Sequence, residues 1–116
     1  MHFKLIIIMV EDERTQKILD AARKAGTTGC TVLNQARGEG VKPAKTFLGL
    51  SIDSHVDVIL MLAEEHMSRE IMEKVAIAGE FDETPGTGIA FQIDVEDAIG
   101  VRHQIAALAE AVEDRL

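Results

Sequence analysis

Two segments of this chain, Phe3–Val10 and His55–Ala63, are apolar on both sides of a strand, and no other feature constrains the fold as much. In the first, Phe3, Leu5, Ile7 and Met9 fall on one side, and Lys4, Ile6, Ile8 and Val10 on the other. In the second, Val56, Val58, Leu60 and Leu62 oppose Asp57, Ile59, Met61 and Ala63. Strands of this kind belong in the middle of a sheet whose two faces are both covered. Helices packed on one side cover only one face. At roughly 25 cal/mol per Å² of apolar surface, leaving the other in water forgoes a large stabilisation. That second face is therefore expected to pack against copies of itself, making the protein an oligomer.

The remaining elements fit around these strands. Glu11–Ala25 reads as a helix, with acids at its start, Ile18, Leu19, Ala22 and Ala25 at helical spacing, and Gly26 as its stop. Gly29–Ala36 reads as a second strand and Arg37–Asp53 as a loop, whose Phe47, Leu48, Leu50 and Ile52 either cling to a surface or form short strand pieces. Glu65–Ala78 is predicted to be a second helix, ended by Gly79, and Gly88–Val95 a fourth strand. Ile105, Leu108 and Val112 predict a short C-terminal helix within about 103–115. The order is βαβ–loop–βαβ, two similar halves that weakly suggest internal duplication. Right-handed crossovers then favour an α+β, ferredoxin-like βαββαβ sandwich: a four-stranded antiparallel sheet with two helices on one face. All 116 residues form one domain, with the loop over about 38–54.

Composition narrows the function. There are 20 acidic residues against 12 basic, a net charge of −8, and neither Trp nor Tyr. Nucleic-acid binding wants a basic stripe and stacking rings, so that class is set aside. The single cysteine, Cys30, cannot form an internal disulfide and suits a reducing compartment. The apolar run from Leu5 to Val10 is too short to span a membrane and lacks a cleavage site. A cytoplasmic protein is expected.

The candidate binding feature is a glycine-dense turn, Thr84, Pro85, Gly86, Thr87 and Gly88, ahead of the fourth strand. Its glycines accept positive φ, and main-chain amides exposed in such a turn attract anions such as phosphate oxygens. Gly38 and Gly40 begin a second loop, and Arg102 follows the last strand. Each has a plainer reading, as a tight strand entry or a solvated cation; together they favour a ligand. The acids Glu80, Asp82, Glu83, Asp94, Glu96 and Asp97 read as a solvated surface, since nothing fixes the spacing a catalytic pair needs. His2, His55, His66 and His103 are scattered without metal-ligand spacing, so neither a metal site nor a catalytic constellation is expected.

The segments GCTVLNQARGEG (29–40) and AGEFDETPGTGIAFQIDVEDAIGVR (78–102), in this element order, resemble the PII nitrogen-regulatory signal proteins. The similarity spans about residues 3–102 and is strongest to the divergent PII-like branch with a shortened recognition loop. It implies a trimer whose sheets face one another, and an adenine nucleotide in each cleft between subunits. The nucleotide-binding residues implied are Thr31, Arg37, Gly38, Glu39, Gly40, Lys42, Thr84, Pro85, Gly86, Thr87, Gly88, Ile89 and Arg102. Val41, Lys45, Thr46, Phe47 and Leu48 are implied as a partner-binding loop. The chain also departs from the family. In its Gly-Asp-Gly-Lys phosphate loop Thr87 replaces the aspartate and Ile89 the lysine, and Gly100 stands at the first of two phosphate-contacting arginines. Each lost charge-assisted phosphate contact is worth roughly 1.5–3 kcal/mol, so AMP, ADP or cyclic AMP is expected to be favoured over ATP, with no metal required. The loop has no tyrosine for uridylylation, and Lys42 or its neighbour replaces the glutamine that typical members use for magnesium and 2-oxoglutarate.

The expectation is a non-enzymatic regulatory homotrimer that senses an adenine nucleotide and acts through its loop on a membrane transporter or an enzyme. Two rivals share the topology. One is an acylphosphatase-like phosphohydrolase using Arg37 or Arg102; the other is a trimeric divalent-cation-tolerance protein.

Overall fold

In the computed structural model the described residues are 1–37, 55–103, 105, 106, 109 and 110, with the backbone of 46, 47, 50 and 51. They form six strands and two α-helices in the order β1 (Phe3–Glu11), α1 (Thr15–Ala25), β2 (Thr31–Ala36), β3 (Thr46–Phe47), β4 (Leu50–Ser51), β5 (Val56–Glu64), α2 (Glu65–Gly79) and β6 (Gly88–Val95). The main sheet has the order β2-β5-β1-β6, and all its pairs are antiparallel. Strands β3 and β4 form a separate two-stranded ribbon, the second of the two readings of the loop. The ferredoxin-like sandwich is thus present, with the two strands apolar on both sides at its centre.

Alternation decides which face the helices cover. Ile6, Ile8 and Val10 of β1 and Ile59, Met61 and Ala63 of β5 are buried beneath Ile18, Ala22 and Ala25 of α1 and Met67, Ile71 and Val75 of α2. On the opposite face, Leu5, Ile7 and Met9 lie across from Leu62, Leu60 and Val58 on one side and Ile93, Phe91 and Ile89 on the other. None of those nine residues is fully buried in the single chain, and Ile93 at 49% and Leu33 at 52% are largely exposed. The molecule presents a continuous apolar sheet face.

Several element ends differ from the sequence reading, β5 for one being shifted by a residue to Val56–Glu64. Glu11 is the last residue of β1, not the start of a helix, because its N–H bonds Thr87 O at 3.1 Å and the Asp12 N–H bonds His55 O at 3.2 Å. These bonds hold the chain in line before a 3-10 turn, Asp12–Arg14, leads into α1. Strand β2 begins at Thr31 instead of Gly29, its first partner being Leu60. Helix α2 runs through Gly79, and the left-handed capping residue is Glu80, with φ 56°. Gly26 does end α1, at φ 110°. Of the expected C-terminal helix, residues 104, 107, 108 and 111–116 lie outside the described set; one i→i−4 bond, from Ile105 N–H to Val101 O at 2.9 Å, is seen. Among the described residues, no helix is long and apolar enough to cross a membrane.

At the sheet end remote from the loop, Lys4 donates to the Asp94 carboxylate opposite it, with His2 Nε2 3.4 Å away. The Lys4 hydrogen bond, then that of His2, holds the Asp94 carboxyl below the usual carboxylate range. Because the folded value is depressed, its stabilising effect is present above the unfolded value of about 3.9 and fades as pH falls through the folded one. An NMR titration is expected to give Asp94 a midpoint below ordinary aspartates, and Lys4→Met should return it upward.

Candidate functional site

The glycine-dense turn is assembled from the end of α2. The Phe81 N–H bonds Ala76 O at 3.0 Å and the Glu80 N–H bonds Ile77 O at 3.2 Å, closing the helix around its left-handed residue. The Thr84 N–H then bonds Glu80 O at 2.9 Å, so this amide is not free for an anion. Thr87, only 2% exposed, places its hydroxyl within 3.1 Å of Glu80 O and 3.0 Å of Thr84 O. Its side chain is thereby committed to the turn and its carbonyl to the Glu11 N–H, which leaves its own N–H to meet a ligand. Gly86 takes φ 82°, the left-handed conformation its composition suggested. Arg14 Nη1 donates to Glu80 Oε2 at 2.8 Å, tying the turn to the start of α1.

Phe81 explains two glycines in another way. A Cβ at Gly79 would lie 2.3 Å from Phe81 Cε1, and one at Gly88 would lie 2.4 Å from the same atom and 2.9 Å from Met9 O. The two glycines form a slot for the ring. In sequence Gly79 is a helix stop and Gly88 part of an anion turn; their packing role shows only when Phe81 is in place.

At the same end of the sheet lies the root of the loop. Ala36 is opposite Val56, Val56 is opposite Glu11, and Val10 is opposite Gly88. Arg37, His55, Asp12 and Thr87 are thus the residues at which the four strands of the sheet meet this edge. Behind it sits Asp57, 6% exposed, which accepts the Thr15 hydroxyl at 2.6 Å and the Gln35 N–H at 3.2 Å. Gln35 itself has φ 60°, within a register shift between Leu33 and Ala36. Sequence reasoning missed this carboxylate, although the alternation of β5 placed an acid on its core side.

Other candidates are distributed as follows. Thr31 is exposed at the start of β2 and lines a groove of about 280 Å³ with Cys30, Leu60 and Leu62. Arg37, Ile89 and Arg102 are described; Ile89 joins the apolar sheet face opposite Met9, and Arg102 is exposed. Gly38, Glu39, Gly40, Val41, Lys42, Lys45 and Leu48, and the side chains of Thr46 and Phe47, lie outside the described residues. The acids Glu80, Asp82, Glu83, Asp94, Glu96 and Asp97 are all exposed, as a solvated surface requires. Glu64, Glu65 and His66 bring ligand atoms within 4.8 Å of one another. The buried Glu64 carboxylate there accepts the His66 N–H at 2.8 Å, which is a helix cap. Cys30 is half-buried, and burial pushes its thiol above the ordinary value.

The sequence profile of the family described as nitrogen regulatory protein P-II matches residues 3–104. The chain belongs to this family. CPII from Thiomonas intermedia K12, solved with ADP, AMP and acetate, is 20% identical and superposes with a TM-score of 0.67 over 87% of this chain and 93% of that one. The apo form of CPII is 19% identical, with a TM-score of 0.64 over 82% and 90% of the two chains. A PII-like signaling protein of Thermus thermophilus is 19% identical, with a TM-score of 0.60 over 81% and 86%. No curated protein matches the sequence significantly. At these identities the solved structures share the P-II fold, and membership in a family of regulatory proteins rests on the profile.

Proposed function

We propose that this P-II protein is a cytoplasmic, non-enzymatic signalling module. Three copies pack their apolar sheet faces together, and an adenine nucleotide binds in each seam between copies. The observation that carries this reading is the separation of the implied nucleotide contacts. Thr31 is on β2 and the 84–88 turn leads into β6, the two outer strands of the sheet, with β5 and β1 between them. At about 4.8 Å per strand they are about 14 Å apart across the sheet, so one small ligand touching both is best served by two neighbouring copies. Val95, from which the chain runs on to Arg102, is at the opposite end of β6 from Gly88. That arrangement also favours Arg102 meeting a neighbour's turn over its own. The apolar sheet face supplies the reason to assemble, and the structure of CPII with ADP and AMP supports the ligand class.

AMP, ADP or cyclic AMP is favoured over ATP, with no metal required. Ile89 and Gly100 stand where typical relatives carry cations, and Glu80, Asp82 and Glu83 crowd the turn with negative charge. The loop over 38–54, through Val41, Lys45, Thr46, Phe47 and Leu48, binds the regulated partner, for which a membrane transporter is the leading candidate. A nucleotide that prefers one loop state changes partner affinity by the same coupling energy.

Calorimetric titration is expected to show binding of AMP, ADP and cyclic AMP and weaker binding of ATP. No heat and no thermal shift with any of the four overturns nucleotide sensing. Sedimentation should give a three-chain species, and a stable single chain would remove the seam.

A further inference from the structure

We infer that the groove between α2 and the start of β6 is a second docking surface, whose occupant is a cationic amphipathic segment of a partner protein. The groove has a volume of about 550 Å³. Its apolar side chains are those of Met72, Ala76 and Ile77 of α2, Phe81 of the turn and Ala90 of β6; Ile89 borders the groove but alternates to the other face of the sheet. Ile77 is 73% exposed, an isoleucine held in water on a helix that has a full core face elsewhere. Phe81, wedged between Gly79 and Gly88, fixes the groove's end wall.

The charged lining gives the occupant its sign. Four acids, Glu73, Glu80, Asp82 and Glu83, stand against one cation, Arg69. Arg69 is already paired with Glu73 at 3.0 Å, and Glu80 with Arg14 at 2.8 Å. Asp82 and Glu83 are exposed and have no cationic partner among the described residues. An apolar floor with an acidic rim fits a segment that carries large aliphatic side chains on one face and lysine or arginine beside them. It repels nucleic acid and anionic lipid. The same groove on a second copy presents the same acids, so groove-to-groove pairing is opposed by charge. The chain's own last fourteen residues, with three acids against one arginine, are also mismatched in sign. From Arg69 to Gly79 the helix spans about 15 Å, enough for nearly three turns of a docked helix.

This surface does not rest on the nucleotide reading. It does share Gly88 and Ile89 with the turn at issue there, so a partner seated in it touches the back of that turn.

The test uses the full chain and two fourteen-residue amphipathic peptides, one of leucine and lysine and one of leucine and glutamate. The leucine–lysine peptide is expected to bind at least tenfold tighter, moving the amide resonances of Ile77, Phe81 and Ala90. Ile77→Ser, and separately Asp82→Lys with Glu83→Lys, should each weaken it about tenfold or more. Glu96→Lys with Asp97→Lys, which makes the same change in net charge at another exposed site, should leave affinity within about twofold. Equal losses from both charge reversals, or resonance changes outside the groove, would mean general attraction to an acidic protein and overturn the proposal. So would a change in sedimentation of the unliganded Ile77→Ser variant, which would assign the groove to a second copy of the chain.

Discussion

Gly88→Ala is expected to lower stability by about 2–3 kcal/mol, more than an alanine at a strand entry ordinarily costs. The new Cβ would stand 2.4 Å from Phe81 Cε1 and 2.9 Å from Met9 O. The second of these is main chain in a ladder that pairs Met9 with Ile89 and Val10 with Gly88, and it cannot retreat without breaking register. The ring is the softer neighbour, but it is confined on its other side. Swinging away from Gly88 drives it toward Gly79, where an added Cβ would already be only 2.3 Å away, with Ile18 Cδ1 at 2.9 Å. Chemical denaturation of Gly88→Ala, Phe81→Leu and the double variant separates the contributions. Phe81→Leu removes the offending Cε1, so the alanine should cost at least about 1 kcal/mol less in that background. If the two substitutions add without coupling, the slot is not what requires glycine there, and an anion-binding role for Gly88 regains its weight.

The same residues mark how far the sequence could be read. β1, β5 and β6 were legible because alternation is a property of neighbouring residues: Ile6 and Ile8 point one way and Ile7 the other, whatever surrounds them. The end of α1 was legible because Gly26 does what a glycine after a helical run ordinarily does. The end of α2 was not. Gly79 has the same local signature, yet the left-handed position passes to Glu80, whose strained backbone is held by the Phe81 and Thr84 amide bonds and the Arg14 bridge. What reserves Gly79 for the helix is contact with Phe81 and with Ile18, a residue 61 positions earlier. The start of α1 failed for a similar reason, since acids favour a helix N-terminus but main-chain bonds from Glu11 to Thr87 and from Asp12 to His55 keep Glu11 in the strand and put off the helix until after the 3-10 turn.

The candidate site was legible as composition and much less as geometry. The glycine–threonine turn reads as an anion turn, and Gly86 does adopt positive φ. That Thr87 turns its hydroxyl inward and that Thr84 gives its amide to Glu80 depend on how α2 ends. Thr31 and the turn look like parts of one pocket along the chain. They fall on opposite outer strands because β5 and β1 insert between them. Strand order, set by crossovers, is what separates residues that the linear sequence suggests as neighbours.

Asp57→Ala is expected to cost about 3 kcal/mol and to act on the root of the 38–54 loop more than on the core. Asp57 is buried, and its two carboxylate oxygens have separate tasks: Oδ2 accepts the Thr15 hydroxyl and Oδ1 the Gln35 N–H. Alanine leaves both part-buried donors without that partner, and a hydrogen bond to a charged acceptor is worth roughly 1.5–3 kcal/mol. The Gln35 bond also holds a residue at φ 60°, a conformation that side chains other than glycine adopt only when their surroundings enforce it. Without it the bulge between Leu33 and Ala36 loses its anchor, and hydrogen exchange at Gln35 should accelerate more than exchange at Ile8 or Ile59. Asparagine is a sharper test than alanine. Its oxygen can still accept from the Gln35 N–H, and its NH₂ can donate to Thr15 if the hydroxyl rotates to accept. Asp57→Asn should therefore cost only about 1 kcal/mol, the difference between charged and neutral hydrogen bonds, with Gln35 still protected. Equal losses from alanine and asparagine would show that the negative charge, and not the pair of hydrogen bonds, is what the loop root requires.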